Sequence, residues 1–264
     1  MPQLIEMEKP GIFRVHVPDE QGYARVRMPE VIWRKNRLIK KGPAATTDEA
    51  LQKWSVFFDY DLKKHHSTYR WTEEMGRLLG KASFDEGELE CAVALESDRI
   101  DIAMILKNTS SEPWQDSYAE ICVSFADSPG FTDVRRERTF GKMDGRWTAL
   151  SSLKPTAPDP RRNVYHTVPK NDFLEECTYG WWSTVHDIQL ESPVIMCENC
   201  SGNRVVAVKF SPCVGFCNNL TPSVACIHSD PHFGPIASGK TAKAHGTIYV
   251  FNGSKDNFLS VIGG

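Results

Sequence analysis

Two neighbouring segments in which every second residue is apolar constrain the fold of this chain more than any other feature. They are residues 88–96 (ELECAVALE) and 99–107 (RIDIAMILK). A period of two is that of a β-strand with one buried face. Ser97 and Asp98, which separate the segments, are typical turn residues, so the sequence predicts a β-hairpin. Residues 118–126 (YAEICVSFA) alternate in the same way and extend the prediction to a three-stranded antiparallel meander.

Further strand-like segments run along the chain, whereas helical signals are few and short. Helices are indicated only at residues 46–54, 72–80 and 254–263, and none is long enough to be the crossover between parallel strands. Residues 150–170 contain four prolines and predict a long irregular loop. The other predicted strands are residues 23–28, 31–40, 55–62, 194–199, 204–210 and 244–253.

The composition is that of an ordinary globular protein. The chain has 264 residues, 41% hydrophobic and 25% charged, with a formal net charge of −3. This charge disfavours nucleic acid and anionic membrane as partners. No stretch approaches the roughly 20 apolar residues that a membrane span requires. The N-terminal residues lack the basic and apolar regions of a signal peptide. We therefore expect a cytoplasmic protein, or an exported one whose signal has been removed.

Many strands, few short helices and turns rich in Pro and Gly predict an all-β fold, a single large antiparallel β-sandwich domain spanning residues 1–264. Residues 88–114 (ELECAVALESDRIDIAMILKNTSSEPW) and 233–253 (FGPIASGKTAKAHGTIYVFNG) together resemble galactose-mutarotase-like β-sandwiches. They also resemble uncharacterised bacterial proteins with a CIHSDP-type segment, here residues 226–231. The resemblance implies a carbohydrate ligand on a concave sheet face, and enzymes of that family use a His and a carboxylate as acid and base.

Five of the eight cysteines lie between residues 194 and 234, so this stretch is the first place to expect a functional site. Cys197 and Cys200, followed after twelve residues by Cys213 and Cys217, come close to zinc-ribbon spacing. Four thiolates at such spacing can hold one tetrahedral zinc ion. Disulfides and plain buried thiols are the alternative interpretations, because cysteine is among the most buried residue types.

The histidines of the same stretch flank an acid in the sequence His228-Ser229-Asp230-Pro231-His232. In an extended segment, alternate residues face the same side. His228, Asp230 and His232 are therefore candidate ligands for zinc or another divalent metal such as Mn or Fe, with open positions left for a substrate. Without a metal, Asp230 would orient His228 as a general base. The alternative is a solvated loop in which Asp230 caps backbone amides.

Two basic segments offer partners for such a base. Tyr165 and His166 follow Arg162, and a cation beside a Tyr/His pair is what a polysaccharide lyase uses to acidify and remove a proton next to a uronate carboxylate. Arg138, in the charged segment 131–140, is a second candidate anion clamp. His166 or Tyr165 would act as the acid, and Arg138 or Arg162 would bind the anion. Solvated surface charge is the alternative for both segments.

Three further residues are candidate sugar-binding groups. Trp182 offers an aromatic face on which a sugar ring can stack. Asn218 and Asn219 offer amides to sugar hydroxyl groups. The alternative for the two asparagines is an ordinary turn, which Asn pairs often form. The alternative for Trp182 is the core, since at least one of Trp181 and Trp182 must pack there.

Taken together, these patterns favour a carbohydrate-active protein, an enzyme doing acid–base chemistry of the epimerase or lyase type on a sugar or acidic glycan. A non-catalytic glycan-binding sandwich and a zinc-stabilised structural or assembly protein are the alternatives. The sequence has no Walker A loop, no GxGxxG after a strand, no GxSxG and no HExxH. Nucleotide-dependent chemistry, α/β-hydrolase chemistry and zincin proteolysis are therefore disfavoured.

Overall fold

The computed structural model describes residues 5–36, 55–153, 162–167, 170–177, 184–219 and 221–263. These residues form two sheets of nine strands each, packed face to face. The pairing is antiparallel, except that the twelfth and thirteenth strands are parallel. The all-β sandwich predicted from the sequence is confirmed.

The first sheet has the strand order β1-β2-β3-β9-β17-β16-β12-β13, and β4 also pairs with β3. Its strands are Ile5–Lys9 (β1), Ile12–Val15 (β2), Ala24–Lys35 (β3), Ser55–Phe58 (β4), Asp116–Ser124 (β9), Arg162–Thr167 (β12), Thr184–Leu190 (β13), Cys213–Asn219 (β16) and Cys226–Pro231 (β17).

The second sheet has the order β11-β10-β14-β15-β18-β8-β7-β6-β5. Its strands are Thr68–Glu74 (β5), Arg77–Phe84 (β6), Gly87–Leu95 (β7), Arg99–Asn108 (β8), Thr139–Met143 (β10), Arg146–Ala149 (β11), Val194–Glu198 (β14), Arg204–Ser211 (β15) and Thr241–Asn252 (β18). Two short helices, Asp172–Cys177 (α1) and Lys255–Ile262 (α2), accompany the sheets. Among the described residues, no helix has the length and apolar run needed to cross a membrane.

The main core lies between the sheets, and it gives each strand of the first sheet an inner and an outer face. Ile121 of β9, Phe216 of β16 and Ile227 of β17 belong to this core. Since side chains alternate along a strand, the neighbours of these residues face outward. A second cluster, which includes Trp33 and Cys217, packs on the outer face.

Three local predictions from the sequence are wrong, and each error has a physical reason. Strands β7 and β8 form the predicted hairpin, but β9 crosses into the first sheet and pairs with β3 and β17. Residues 72–80, expected to be helical, form the end of the β5–β6 hairpin, and its turn at Met75 and Gly76 has left-handed backbone angles. Part of the expected loop at 150–170 is β12, a strand with neighbours on both sides.

The C-terminal helix prediction is confirmed by α2. Ser254 caps this helix, since its hydroxyl accepts a hydrogen bond from the backbone N–H of Asn257. The helix predicted at 46–54 lies outside the described residues.

Candidate functional site

The outer face of the first sheet carries a buried group of titratable side chains, which we call the outer-face cluster. It is assembled by pairing in register: His228 lies opposite Cys122 on one neighbouring strand and opposite Cys217 on the other. Directly opposed residues face the same side of a sheet. The cluster consists of Glu30, Glu120, Cys122, Arg162, Cys217, Cys226, His228 and Asp230.

His228 is the centre of this cluster. Its Nε2 lies 3.1 Å from Sγ of Cys226. Its Nδ1 lies 3.8 Å from Oδ1 of Asp230, and both of these atoms are buried without a hydrogen-bond partner among the described residues. Only 1% of each residue is exposed. The imidazole thus has a thiol at one ring nitrogen and a carboxyl group at the other.

Arg162 is held by an internal ion pair. Its guanidinium donates to Oε2 of Glu120 at 3.0 Å, and its Nε donates to Sγ of Cys217 at 3.2 Å. The other carboxylate oxygen of Glu120 accepts a hydrogen bond from the indole N–H of Trp33. Arg162 and Glu120 are both buried, so the positive charge of Arg162 is balanced within the protein.

Burial and mutual contacts shift the protonation of the cluster. Burial raises the pKa of Asp230 well above its usual range, and Glu120 acts in the same direction. Burial opposes ionisation of Cys226, but the hydrogen bond from Cys122 and the charge of His228 outweigh it and lower the pKa of that thiol. Burial also disfavours charge on His228, but the thiols of Cys217 and Cys226 raise its pKa. The two shifts have the same sense, because each favours the charged form of its group, the thiolate of Cys226 and the protonated ring of His228.

The cluster also contains metal-ligating atoms at short mutual distances. There are three sets of three residues, and within each set the donor atoms lie within 4.8 Å of one another. His228 belongs to every set. The sets are Cys122 with Cys226 and His228, Cys217 with His228 and Asp230, and Glu30 with Glu120 and His228.

A second group of polar residues surrounds a cavity of about 240 Å³ at one end of the sandwich, which we call the end cavity. The turn that joins β15 to β16 and the turn that joins β13 to β14 both line it. Its polar lining includes Thr167, Lys170, Asn171, Glu191, Ser211 and His232.

His232 is oriented at this cavity by a carboxylate and an amide. Its Nε2 lies 2.6 Å from Oδ1 of Asp116, and Nδ2 of Asn171 donates to the other oxygen of Asp116 at 3.0 Å. Asn171 is itself fixed, because its Oδ1 accepts hydrogen bonds from the first backbone N–H groups of α1. Burial disfavours the charged form of Asp116, but the contacts with His232 and Asn171 outweigh it and lower the pKa of this carboxyl group.

The structure divides the predicted His228-Asp230-His232 metal site between these two places. His228 and Asp230 lie side by side on the outer face, as the alternation predicted. Strand β17 ends at Pro231, however, and His232 turns to Asp116 instead. The structure therefore does not bring these three predicted ligands together.

The four cysteines of the predicted zinc ribbon are not brought together either, because they belong to different sheets and faces. Cys197 lies on β14 in the second sheet, where its thiol donates to the carbonyl of Phe131, and Cys200 is exposed. Cys213 contacts the hydroxyl of Ser229, and Cys217 faces outward beside Arg162. The donor sets found among the described residues contain neither Cys197, Cys200 nor Cys213, and the seven described cysteines are free thiols.

Tyr165 and His166 occupy opposite faces of β12, as neighbours on a strand must. Tyr165 faces the core, where its hydroxyl accepts a hydrogen bond from Arg136 and burial raises its pKa. His166 is buried opposite Gly215. Of the two residues predicted as alternative acids, the structure therefore places only His166 on the face that carries Arg162.

Arg138 is fixed by main-chain contacts rather than placed in the cluster. Its guanidinium donates to the carbonyl groups of Gly130, Thr132 and Glu198, which occupies both of its terminal nitrogens. Arg138 therefore connects the loop that contains Gly130 and Thr132 to the end of β14. This differs from its predicted role as an anion clamp.

The two asparagines also separate. Asn219 donates to Sγ of Cys226 on the outer face at 2.9 Å, whereas Asn218 lies opposite Ile227, on the inner face. They do not present a joint amide surface, contrary to the prediction. Trp182 lies outside the described residues.

Sequence reasoning missed the acids and the thiols that complete both groups. Glu120 and Cys122 stand on β9 and Asp116 at its start, about a hundred residues before His228 and His232. Only the strand order brings them together, and no local pattern in the sequence signals it.

Comparisons with known proteins give structural likenesses of low similarity. No protein-family model matches the chain, and no curated protein matches it. Among solved structures, the chain is similar to Slr1438 of Synechocystis (9% identity, TM-score 0.45, covering 96% of this chain and 99% of that one). It is also similar to a galactose mutarotase-like protein of Clostridium acetobutylicum (13%, 0.43, 92% and 93%) and to a putative aldose 1-epimerase of Escherichia coli (10%, 0.41, 70% and 68%). The last two are of the kind that the sequence resembles.

Proposed function

We propose that the protein is a carbohydrate-active enzyme of the epimerase type, which interconverts the anomers of a single sugar bound in the end cavity. The observation that carries this proposal is that an Asp-oriented histidine, His232, and a carboxylate, Glu191, line the same cavity. Sugar as the substrate class follows from the sequence resemblance.

The contacts of His232 suit it to hold and give up a proton. Asp116 accepts a hydrogen bond from its Nε2, which fixes the orientation of the ring and leaves Nδ1 free of this contact. Asp116 keeps its negative charge because the contacts described above lower its pKa. About a quarter of the His232 side chain is exposed, which leaves it accessible to a ligand.

Glu191 supplies the complementary base. It follows β13, is exposed, and its carboxylate accepts a hydrogen bond from the backbone N–H of Gly145 at 3.0 Å. In the proposed reaction Glu191 accepts the proton of the anomeric hydroxyl while His232 gives its proton to the ring oxygen. The bond between the ring oxygen and the anomeric carbon breaks, and the resulting aldehyde closes on its other face with the two proton transfers reversed.

The size of the cavity favours a single sugar over a polysaccharide. Pockets for drug-sized ligands occupy about 300–1,000 Å³, and the end cavity, at about 240 Å³, is smaller. This favours the epimerase type over the lyase type. His228 and Asp230 do not line this cavity, and we do not assign them the acid–base role.

The proposal is tested by optical rotation of freshly dissolved α-D-galactose, α-D-glucose and α-D-xylose. We expect the purified chain to accelerate the approach to anomeric equilibrium in proportion to its concentration for at least one sugar. His232→Gln and Glu191→Gln should each lower this rate by about 10²–10⁴-fold, the usual contribution of a general acid or base.

His245→Gln and Glu73→Gln are matched controls, because both residues are exposed on the second sheet and neither lines the end cavity. Both should retain the wild-type rate. No acceleration for any of the three sugars, or full activity of His232→Gln, contradicts the proposal. Sugar binding detected by NMR without acceleration would favour the glycan-binding alternative instead.

A further inference from the structure

We propose that the first sheet holds one zinc ion at its centre, bound by the thiolates of Cys122 and Cys226 and by Nε2 of His228. This site goes beyond the proposed sugar chemistry and shares no residue with it. It also differs from both metal sites predicted from the sequence, since only His228 is common to either of them.

The donor atoms already have the separation of ligands on one ion. Sγ of Cys226 and Nε2 of His228 are 3.1 Å apart, and Sγ of Cys122 lies within 4.8 Å of Sγ of Cys226 and of a ring nitrogen of His228. Zinc binds sulfur at about 2.3 Å and nitrogen at about 2.0 Å in tetrahedral geometry, which places ligand atoms about 3.5 Å apart. Only small movements of these side chains are therefore needed for all three to bind one ion.

A disulfide does not explain the same two thiols. Cys122 pairs with His228, and Cys226 pairs with Ser124, so the two cysteines are diagonal neighbours on adjacent antiparallel strands. Diagonal neighbours lie about 7–8 Å apart, whereas disulfides need Cα separations of about 4.4–6.8 Å. A bridging metal ion, unlike a disulfide, spans this gap.

The surroundings supply the outer contacts that zinc ligands require. A histidine bound to zinc through one nitrogen usually donates its other N–H to a carboxylate. Here Nδ1 of His228 faces Oδ1 of Asp230 at 3.8 Å, and among the described residues neither buried atom has another hydrogen-bond partner. Asn219 donates an amide hydrogen to Sγ of Cys226, a contact that stabilises a thiolate.

Charge balance also favours a divalent ion. Two thiolates and one neutral imidazole carry two negative charges, which a zinc ion neutralises within a buried site. The nearby cation, Arg162, is already paired with Glu120. The carboxylates of Glu30 and Glu120 form another donor set with the same imidazole, so acidic oxygen atoms also lie close to this histidine.

The experiment measures zinc in the full-length chain purified without chelators, and then follows the absorption of the chain reloaded with Co²⁺. We expect about one zinc ion per chain and, after exchange, thiolate-to-cobalt charge-transfer bands with tetrahedral d–d bands. Cys122→Ser and Cys226→Ser should each lose these bands and most of the zinc. Asp230→Asn should weaken zinc binding by about 10–100-fold, the usual loss when the carboxylate that orients a zinc-bound histidine is replaced.

Cys200→Ser and Cys213→Ser are the matched controls, and both should bind zinc like the wild type. Circular dichroism identifies any variant that fails to fold. If a cysteine variant does not fold, the wild-type chain provides the test. A mercurial reagent that titrates thiols should release zinc from it. Less than about 0.2 ion per chain after incubation with zinc, or wild-type binding by folded Cys122→Ser, overturns the proposal. Neither outcome affects the sugar assay, since His232 and Glu191 lie outside this site.

Discussion

His186 shows how a single buried side chain makes the stability of the protein depend on pH. Its Nε2 lies 2.6 Å from Oδ1 of Asn163, and its ring packs on Tyr165 with 5.3 Å between centroids. Burial, followed by the positive charge of Arg136, lowers the pKa of His186 to about 4. In the unfolded chain the pKa of a histidine is about 6.5.

The stability that neutral His186 contributes is therefore complete above pH 6.5 and is lost as the pH falls towards 4, because only the unfolded chain binds the proton in that interval. The unfolding free energy of the wild type should fall between pH 7 and pH 4. We expect this fall to be smaller by up to about 3 kcal/mol in His186→Gln. Urea denaturation at both pH values measures it. His245→Gln, at an exposed site, should retain the wild-type decrease, and an unchanged decrease in His186→Gln would contradict the argument.

For single residues, the sequence predicted which face of a strand a side chain lies on, but not which residues of other strands it contacts. The alternation in residues 226–231 correctly placed His228 and Asp230 on one face, because a strand fixes which residues share a side. It did not reveal that Cys122 and Glu120 would face them, since this depends on β9 pairing with β17. It also overextended the strand to His232, because the contact with Asp116 is made across 116 residues.

At the scale of a strand pair, Gly246 shows how packing across two strands fixes a residue. It lies opposite Phe210 in the β15–β18 pair, and a Cβ at this position would overlap the Phe210 ring. Alanine in a strand is better than glycine by about 0.5–1 kcal/mol, but overpacking a core costs about 1–3 kcal/mol. We expect the second effect to dominate, so that Gly246→Ala lowers the unfolding free energy by about 1–2 kcal/mol.

A double-mutant cycle isolates this contact. In a Phe210→Leu background the ring is absent, and the added methyl group should cost at least about 1 kcal/mol less than in the wild type. Chemical denaturation of the four proteins gives the coupling free energy. Additive effects of the two substitutions would show that the ring does not exclude the methyl group.

Element-level predictions succeeded where the signal was local and failed where the chain changes sheets. The β7–β8 hairpin followed from two alternating runs and a two-residue turn, all within twenty residues. Strand β9 has the same alternation, yet the connection through Trp114, which bridges to Ile236, carries it into the other sheet. Prolines near β12 masked a strand, because the sequence shows where proline interrupts pairing but not where pairing resumes.

At the scale of the whole molecule, the two sheets depend on one core. The main core cluster includes residues from Ile5 on β1 to Val250 on β18 and takes side chains from both sheets. Between the described strands, the chain changes sheets after β4, β8, β9, β11, β13, β15 and β17. No single cut of the chain between the described strands would therefore separate one sheet from the other, as expected for the single domain predicted from the sequence.

We consequently expect cooperative unfolding, with the same midpoint for backbone and side-chain signals. Far-UV circular dichroism and tryptophan fluorescence in urea provide the two signals. Trp33→Phe removes a buried reporter of the first sheet, and Trp71→Phe removes a half-buried reporter of the second. Within each variant, fluorescence and circular dichroism should still coincide, because neither sheet buries its inner face without the other. Two separated transitions, with the fluorescence of each variant following a different one, would instead show that the sheets unfold as independent units.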